Sequence, residues 1–157
     1  MDAVADAMTV PPFAPLRRVL DSLSAAGIPA VVGGSALLVA MGVDTEVRDW
    51  DVVTDADPEA VAAALRAAGL RAERSEASER YVSEALFTVR LDDAMIDVIV
   101  RFAVRADDGV VVRIPARPGT LWNELPMAHP DDWSAAYRAM GRPERAALLD
   151  LFRGGRA

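Results

Sequence analysis

Val31 to Asp55 reads VVGGSALLVAMGVDTEVRDWDVVTD, and the rest of the chain is organised around it. An apolar run, Ile28 to Val32, leads into Gly33-Gly34-Ser35, and a short helical pattern over Ser35–Met41 follows, closed by Gly42. Further on, Asp49 and Asp51 flank Trp50 at the head of a second apolar run, Trp50–Thr54. A glycine turn that opens a helix leaves free N–H groups and the positive end of the helix dipole aimed at one spot, a natural seat for phosphate. Carboxylates at i and i+2 of a strand share a face and together suit a hard divalent cation. Each feature has a plainer reading. The glycine pair serves equally as a turn that needs positive φ, and Ser35 as a helix N-cap. Asp49 and Asp51 also read as solvated carboxylates at a strand's start. Trp50, Val52 and Val53 argue otherwise: they mark an interior strand, where an unpaired ionised carboxylate costs several kcal/mol.

Asp97 sharpens the pattern. It interrupts Met95-Ile96-Asp97-Val98-Ile99-Val100, a run otherwise suited to a buried central strand. A lone aspartate there needs a metal, a cation or a hydrogen-bond partner; Arg90 and Arg101 are the structural candidates. Three aspartates converging from neighbouring strands make an oxygen-rich site suited to Mg²⁺ or Mn²⁺. A phosphate cradle facing such a site points to chemistry on a nucleoside triphosphate. Arg48 and Arg101 are candidates to neutralise phosphate charge, with surface or ion-pair roles as the alternative.

Outward from this stretch the elements alternate. Phe13, Leu16, Leu20 and Leu23 recur at helical spacing and predict a helix over Pro15–Ala26. Asp57-Pro58-Glu59 is a strong helix start, with Asp57 as N-cap, and the helix runs to Gly69. Leu70–Arg74 reads as a short edge strand and Arg74–Tyr81 as an exposed loop. Glu84–Leu91 and Met95–Phe102 form a hairpin about Asp92-Asp93-Ala94, and a second hairpin turns at Asp107-Asp108-Gly109. Pro115 to Pro130 reads as irregular, anchored by Trp122, Leu125 and Met127. Trp133, Ala136, Tyr137 and Met140 mark a helix, and Pro143 starts another through Phe152. Met1 to Val10 carries no strong pattern. His129 sits in a proline-flanked loop; Trp122, Trp133 and Tyr137 suit helix packing better than stacking on a base.

With 157 residues, 52% hydrophobic and 26% charged, the chain fits one globular domain over 1–157 rather than a disordered segment. Its core is expected over 15–114, with the irregular loop and a helical tail over 115–157. The absence of cysteine excludes disulfides and thiolate zinc sites and suits a reducing cytoplasm. Neither a signal peptide nor a membrane span is expected, and the expected location is cytoplasmic. A net charge of −7 disfavours a sequence-independent grip on nucleic acid.

Gly33-Gly34-Ser35, then Asp49-x-Asp51, then Asp97 on a later strand resembles the nucleotidyltransferase superfamily typified by DNA polymerase β. Its signature sets a Gly-Gly/Ser turn ahead of an Asp-x-Asp pair and a third, distal carboxylate. The resemblance covers Ile28–Phe102. Asp49–Gly69 also looks like the head domain of the CCA-adding and poly(A) polymerase branch. Ser35-Ala36-Leu37 stands where that branch carries Arg-Asp, however, and there is no room here for its base-selecting and tRNA-gripping domains, so CCA addition is not expected. By size the chain is similar to small bacterial nucleotidyltransferases, including those of toxin–antitoxin modules and of antibiotic modification.

The resemblance implies an α+β fold: a nucleotidyltransferase-like mixed β-sheet flanked by helices, with a short helical tail. It implies a two-metal transfer of an NMP, AMP from ATP, to an acceptor hydroxyl with release of pyrophosphate. Asp49 and Asp51 would hold Mg²⁺ (or Mn²⁺) against the triphosphate. Asp97 would bind the catalytic metal and draw the proton, and Gly33, Gly34 and Ser35 would cradle the β- and γ-phosphates. The acceptor stays open among a small molecule, a protein and RNA. Two other readings stand beside this one. One is a non-catalytic nucleotide-binding or partner-binding module; the other is a toxin-like enzyme modifying tRNA or protein, paired with an antitoxin-like or helical partner protein.

Overall fold

A computed structural model of the chain describes residues 8–155. Helix α1 (Phe13–Ala25) buries Leu16, Val19 and Leu23 completely, as its apolar spacing requires. Strand β1 (Val31–Gly33) starts later than Ile28, because Pro29 has no N–H to give a ladder; its carbonyl instead accepts from Thr54 Oγ1 at 2.8 Å. Helix α2 (Gly34–Ala40) follows directly, and β2 (Trp50–Thr54) has the bounds its sequence predicts. Helix α3 (Pro58–Ala67) is capped by Asp57, whose Oδ2 accepts from the N–H groups of Glu59 and Ala60 at 3.0 and 3.3 Å.

Next come β3 (Ala72–Ser75), β4 (Ala85–Leu91) and β5 (Ala94–Val100). The β4–β5 turn holds Asp92 and Asp93 at φ 50° and 64°, the left-handed pair that a two-residue hairpin loop demands. Strands β6 (Ala103–Arg105) and β7 (Val111–Arg113) form the second predicted hairpin, a separate two-stranded sheet. Residues 115–130, expected to be irregular, instead hold a third hairpin, β8 (Pro118–Trp122) and β9 (Leu125–Ala128), turning through Asn123 and Glu124 at φ 51° and 65°. Helices α4 (Pro130–Ala139) and α5 (Pro143–Gly155) close the chain.

The main sheet has seven strands in the order β3-β4-β5-β2-β1-β9-β8. It is mixed: β2 runs parallel to β5 and β1 parallel to β9, while the other pairs are antiparallel. The protein is thus an α+β fold with a mixed sheet flanked by five helices among the described residues. Alternation along β2 does the positioning work. Trp50 points to the α1 side, where its ring packs 5.3 Å from Phe13 and its Nε1 donates to the Pro12 carbonyl at 3.1 Å. Asp51 therefore points the other way. At the N-terminal side, Thr9 bridges Glu46 and exchanges backbone hydrogen bonds with Thr45 and Val47. Residues 1–7 lie outside the described part. No helix among the described residues is long and apolar enough to cross a membrane.

Candidate active site

Strand register brings the acidic residues together. Asp51 and Asp97 are paired positions on the parallel strands β2 and β5, so their side chains project from the same face as neighbours. Asp49 stands one step before β2, and all three line a cavity of about 870 Å³. Thr88, across from Asp97 on β4, donates its hydroxyl to Asp97 Oδ1 at 2.7 Å and fixes that carboxylate.

The glycines are shaped by what presses on them. Gly34 has φ +65°, and a Cβ built there would run into the Asp51 carboxylate; at Gly33 it would run into the Trp133 indole. Close approach on one side and left-handed backbone on the other leave glycine as the residue that fits at 34. Ser35 is buried, and its Oγ accepts the Arg48 N–H at 3.1 Å, so it ties the start of α2 to the segment before Asp49. Gly34, Ser35 and Arg48 all line the cavity beside the aspartates.

Electrostatics set this floor apart. Burial, then the charge of Asp97, then that of Asp49 push the Asp51 carboxyl from the usual 3.8 up to about 7. Asp97 is also raised, chiefly by burial and secondarily by Asp49, against the lowering effects of the Thr88 hydrogen bond and of Arg90. The three carboxylates repel one another, and no ion pair among the described residues relieves Asp51. As the side chains stand, no three or more histidines, aspartates or glutamates among the described residues are grouped to hold one metal ion. The donor set still fits a hard divalent cation in chemistry: three carboxylates line one cavity, and Asp51 and Asp97 are raised in pKa.

Of the residues expected from sequence, Gly34, Ser35, Arg48, Asp49, Asp51 and Asp97 meet at this cavity, with Gly33 just behind it under Trp133. Arg101 does not. Strand β5 ends at Val100, Arg101 turns away at φ 54°, and its guanidinium is held by Glu84 at 2.9 Å and by the Asp55 carbonyl at 3.2 Å. That is the ion-pair role rather than the phosphate-neutralising one. His129 caps α4, its Nδ1 accepting from the Asp131 N–H at 3.1 Å. Trp133 and Tyr137 are buried and packed together with ring centres 5.6 Å apart, yet both also wall the cavity. The α4–α5 corner adds Met140, Arg142, Glu144 and Arg145, and the 75–83 segment adds Ser75, Glu76 and Tyr81. The sequence marks the tail's helices but not these side chains, since nothing local in residues 142–145 signals that the α4–α5 corner reaches the cavity.

A protein of Thermotoga maritima, provisionally classed as a nucleotidyltransferase, shares the fold with a TM-score of 0.61 at 22% identity, over 90% of this chain and 91% of that one. A family model described as aminoglycoside-2''-adenylyltransferase matches residues 15–134. The chain belongs to that family and is a nucleotidyltransferase enzyme. ANT(2'')-Ia in complex with adenylyl-2''-tobramycin aligns at a TM-score of 0.46 and 15% identity, over 91% of this chain and 97% of that one. The solution structure of ANT(2'')-Ia aligns at 0.48 and 16%, over 89% and 88%. No curated protein matches the sequence.

Proposed function

We propose that the protein moves the adenylyl group of ATP onto a hydroxyl of a small-molecule acceptor. A bond forms between the acceptor oxygen and the α-phosphorus, the bond from that phosphorus to the bridging oxygen breaks, and pyrophosphate leaves. The observation that carries this reading is the register pair Asp51–Asp97, with Asp49 beside it, at a cavity of about 870 Å³. That volume lies within the range of about 300–1,000 Å³ usual for small-ligand sites.

Each residue has a role that follows from its surroundings. Asp97 takes the acceptor's proton: burial raises its basicity and the Thr88 hydroxyl aims it. Gly34 lets the ligand's phosphates approach the backbone beside Asp51, and the Ser35 hydroxyl, whose oxygen already accepts from Arg48, has its proton left to donate. Arg48, half-exposed on the cavity rim and only loosely paired with Glu46 at 3.7 Å, offers charge to the leaving pyrophosphate. Asp49, Asp51 and Asp97 are the residues that would hold Mg²⁺ or Mn²⁺, which when bound neutralises phosphate charge and makes the α-phosphorus more electrophilic. Orientation of the two substrates in one site supplies much of the rate.

The test is the fate of label. With α-labelled ATP, Mg²⁺ and a panel of hydroxylated small molecules, the acceptor should become labelled as pyrophosphate appears in equal amount. With γ-labelled ATP the acceptor should stay unlabelled. Transfer of the γ label, or transfer undiminished by Asp97→Asn, would contradict the assignment.

A further inference from the structure

The cavity has two unlike sides. Its floor carries Asp49, Asp51 and Asp97, while the α4–α5 corner presents Arg142 and Arg145. Several arginines elsewhere are committed: Arg74, Arg80, Arg101, Arg117 and Arg138 are each ion-paired with a nearby carboxylate. Arg142 and Arg145 have no such carboxylate partner among the described residues. Arg145 instead lies over the Tyr137 ring, 5.7 Å from its centre. Tyr137 lines the same cavity, and its hydroxyl responds to both sets of charges: burial raises its pKa, Arg145 lowers it, Asp51 raises it and Arg142 lowers it. Neither arginine figures among the charges acting on Asp51. Both cations line the same cavity as the three aspartates. Glu144 also reaches the cavity from this corner, leaving the corner net positive, and Glu76 from the 75–83 segment is engaged by Arg74 at 3.3 Å.

We propose that Arg142 and Arg145 form an anion-binding wall across the cavity from the aspartates, and that the ligand group seated there is a phosphate or carboxylate. The anion comes either from the triphosphate of the nucleotide or from an acidic acceptor. This deepens the adenylyl-transfer reading and rests on it for the identity of the nucleotide, but not for the wall itself. A polycationic acceptor of the aminoglycoside kind would meet two like charges here, so the wall selects against it.

Calorimetric titration of tripolyphosphate without metal tests the wall alone. Wild type should bind it, Arg142→Gln/Arg145→Gln should weaken binding by about tenfold or more, and Arg142→Lys/Arg145→Lys should keep most of it. Asp51→Asn, which removes a repelling charge, should not weaken it. No binding to wild type, or equal binding to wild type and the glutamine pair, overturns the proposal. Two further arms separate the sources of the anion. Loss of MgATP affinity in the glutamine pair assigns the wall to the triphosphate. Unchanged MgATP affinity, with tripolyphosphate binding to the ATP-loaded wild type but not to the ATP-loaded variant, assigns it to an acidic acceptor. Tobramycin is the polycation probe and should bind the glutamine pair more tightly than wild type; equal or weaker binding counts against the wall. Failure of MgATP to bind wild type would defeat the adenylyl-transfer reading while leaving the tripolyphosphate result to stand by itself.

Discussion

Asp51 and Asp97 are register partners on adjacent parallel strands, one pressed against the Cα of Gly34 and the other held by the Thr88 hydroxyl. Two carboxylates brought side by side at half-buried positions are costly without a cation. The protein tolerates that cost at the floor of the cavity, and this is where the proposed chemistry is placed.

Gly34→Ala tests the close approach. The substitution combines φ +65° with a Cβ that overlaps the Asp51 carboxylate, so Asp51 must move. Adenylyl transfer should fall roughly a hundredfold, the scale expected for a displacement near 1 Å at a reacting site. Gly42→Ala is the control: it carries the same left-handed strain at φ +79° with open space around it. It should cost about 1–2 kcal/mol of stability in urea melts and leave turnover intact.

Stability should follow the acidic floor. Asp51 has its carboxyl raised from 3.8 to about 7 in the folded protein, so the native state binds the extra proton between those values. Stability is then highest below pH 4 as far as this group is concerned, and is lost as pH rises towards 7. Thermal melts of the metal-free protein from pH 4.5 to 8 should show this decline, Asp51→Asn should flatten it, and Mg²⁺ should reverse it at pH 8. An equally steep decline in Asp51→Asn would remove Asp51 as its source.

Thr88→Val probes how Asp97 is aimed. The loss of a 2.7 Å hydrogen bond that lowers the Asp97 pKa should move the acid limb of the pH–rate profile to higher pH. A drop in kcat of roughly tenfold with little change in KM for ATP is expected, typical of losing an orienting partner of a site carboxylate. An unmoved pH profile would mean that Thr88 only packs.

Asp57→Ala should behave differently from all of these. It removes the N-cap that accepts from Glu59 and Ala60, so stability should drop by about 1 kcal/mol with kcat unchanged.

Much of this arrangement was legible in the sequence where local chemistry dictates structure. Asp57-Pro58 announces α3, and Asp92-Asp93 between alternating runs announces the β4–β5 turn. An aspartate inside Met95–Val100 announces a group in need of a partner, and the structure gives it the Thr88 hydroxyl and a place on the cavity. Long-range pairing was not legible. Strand β9 meets β1 through Val32 and Met127, and Pro118 and Pro126 inside the β8–β9 hairpin, with a glycine-free Asn123-Glu124 turn, disguise both strands as loop. Arg101 stands away from the cavity because β5 ends at Val100, where the backbone turns left-handed. Arg142 and Arg145 were missed because their place at the aspartates' cavity comes from the packing of α4 and α5, which no spacing in that segment encodes.

The most direct measurement is calorimetric binding of ATP, with and without Mg²⁺, to wild type and to Asp49→Ala/Asp51→Ala. Metal-dependent binding to wild type that disappears in the folded double variant is the predicted result. Binding that needs no metal and survives the loss of both carboxylates, or no binding to folded wild type at all, would contradict a nucleotidyl-transfer site at the Asp49–Asp51–Asp97 floor.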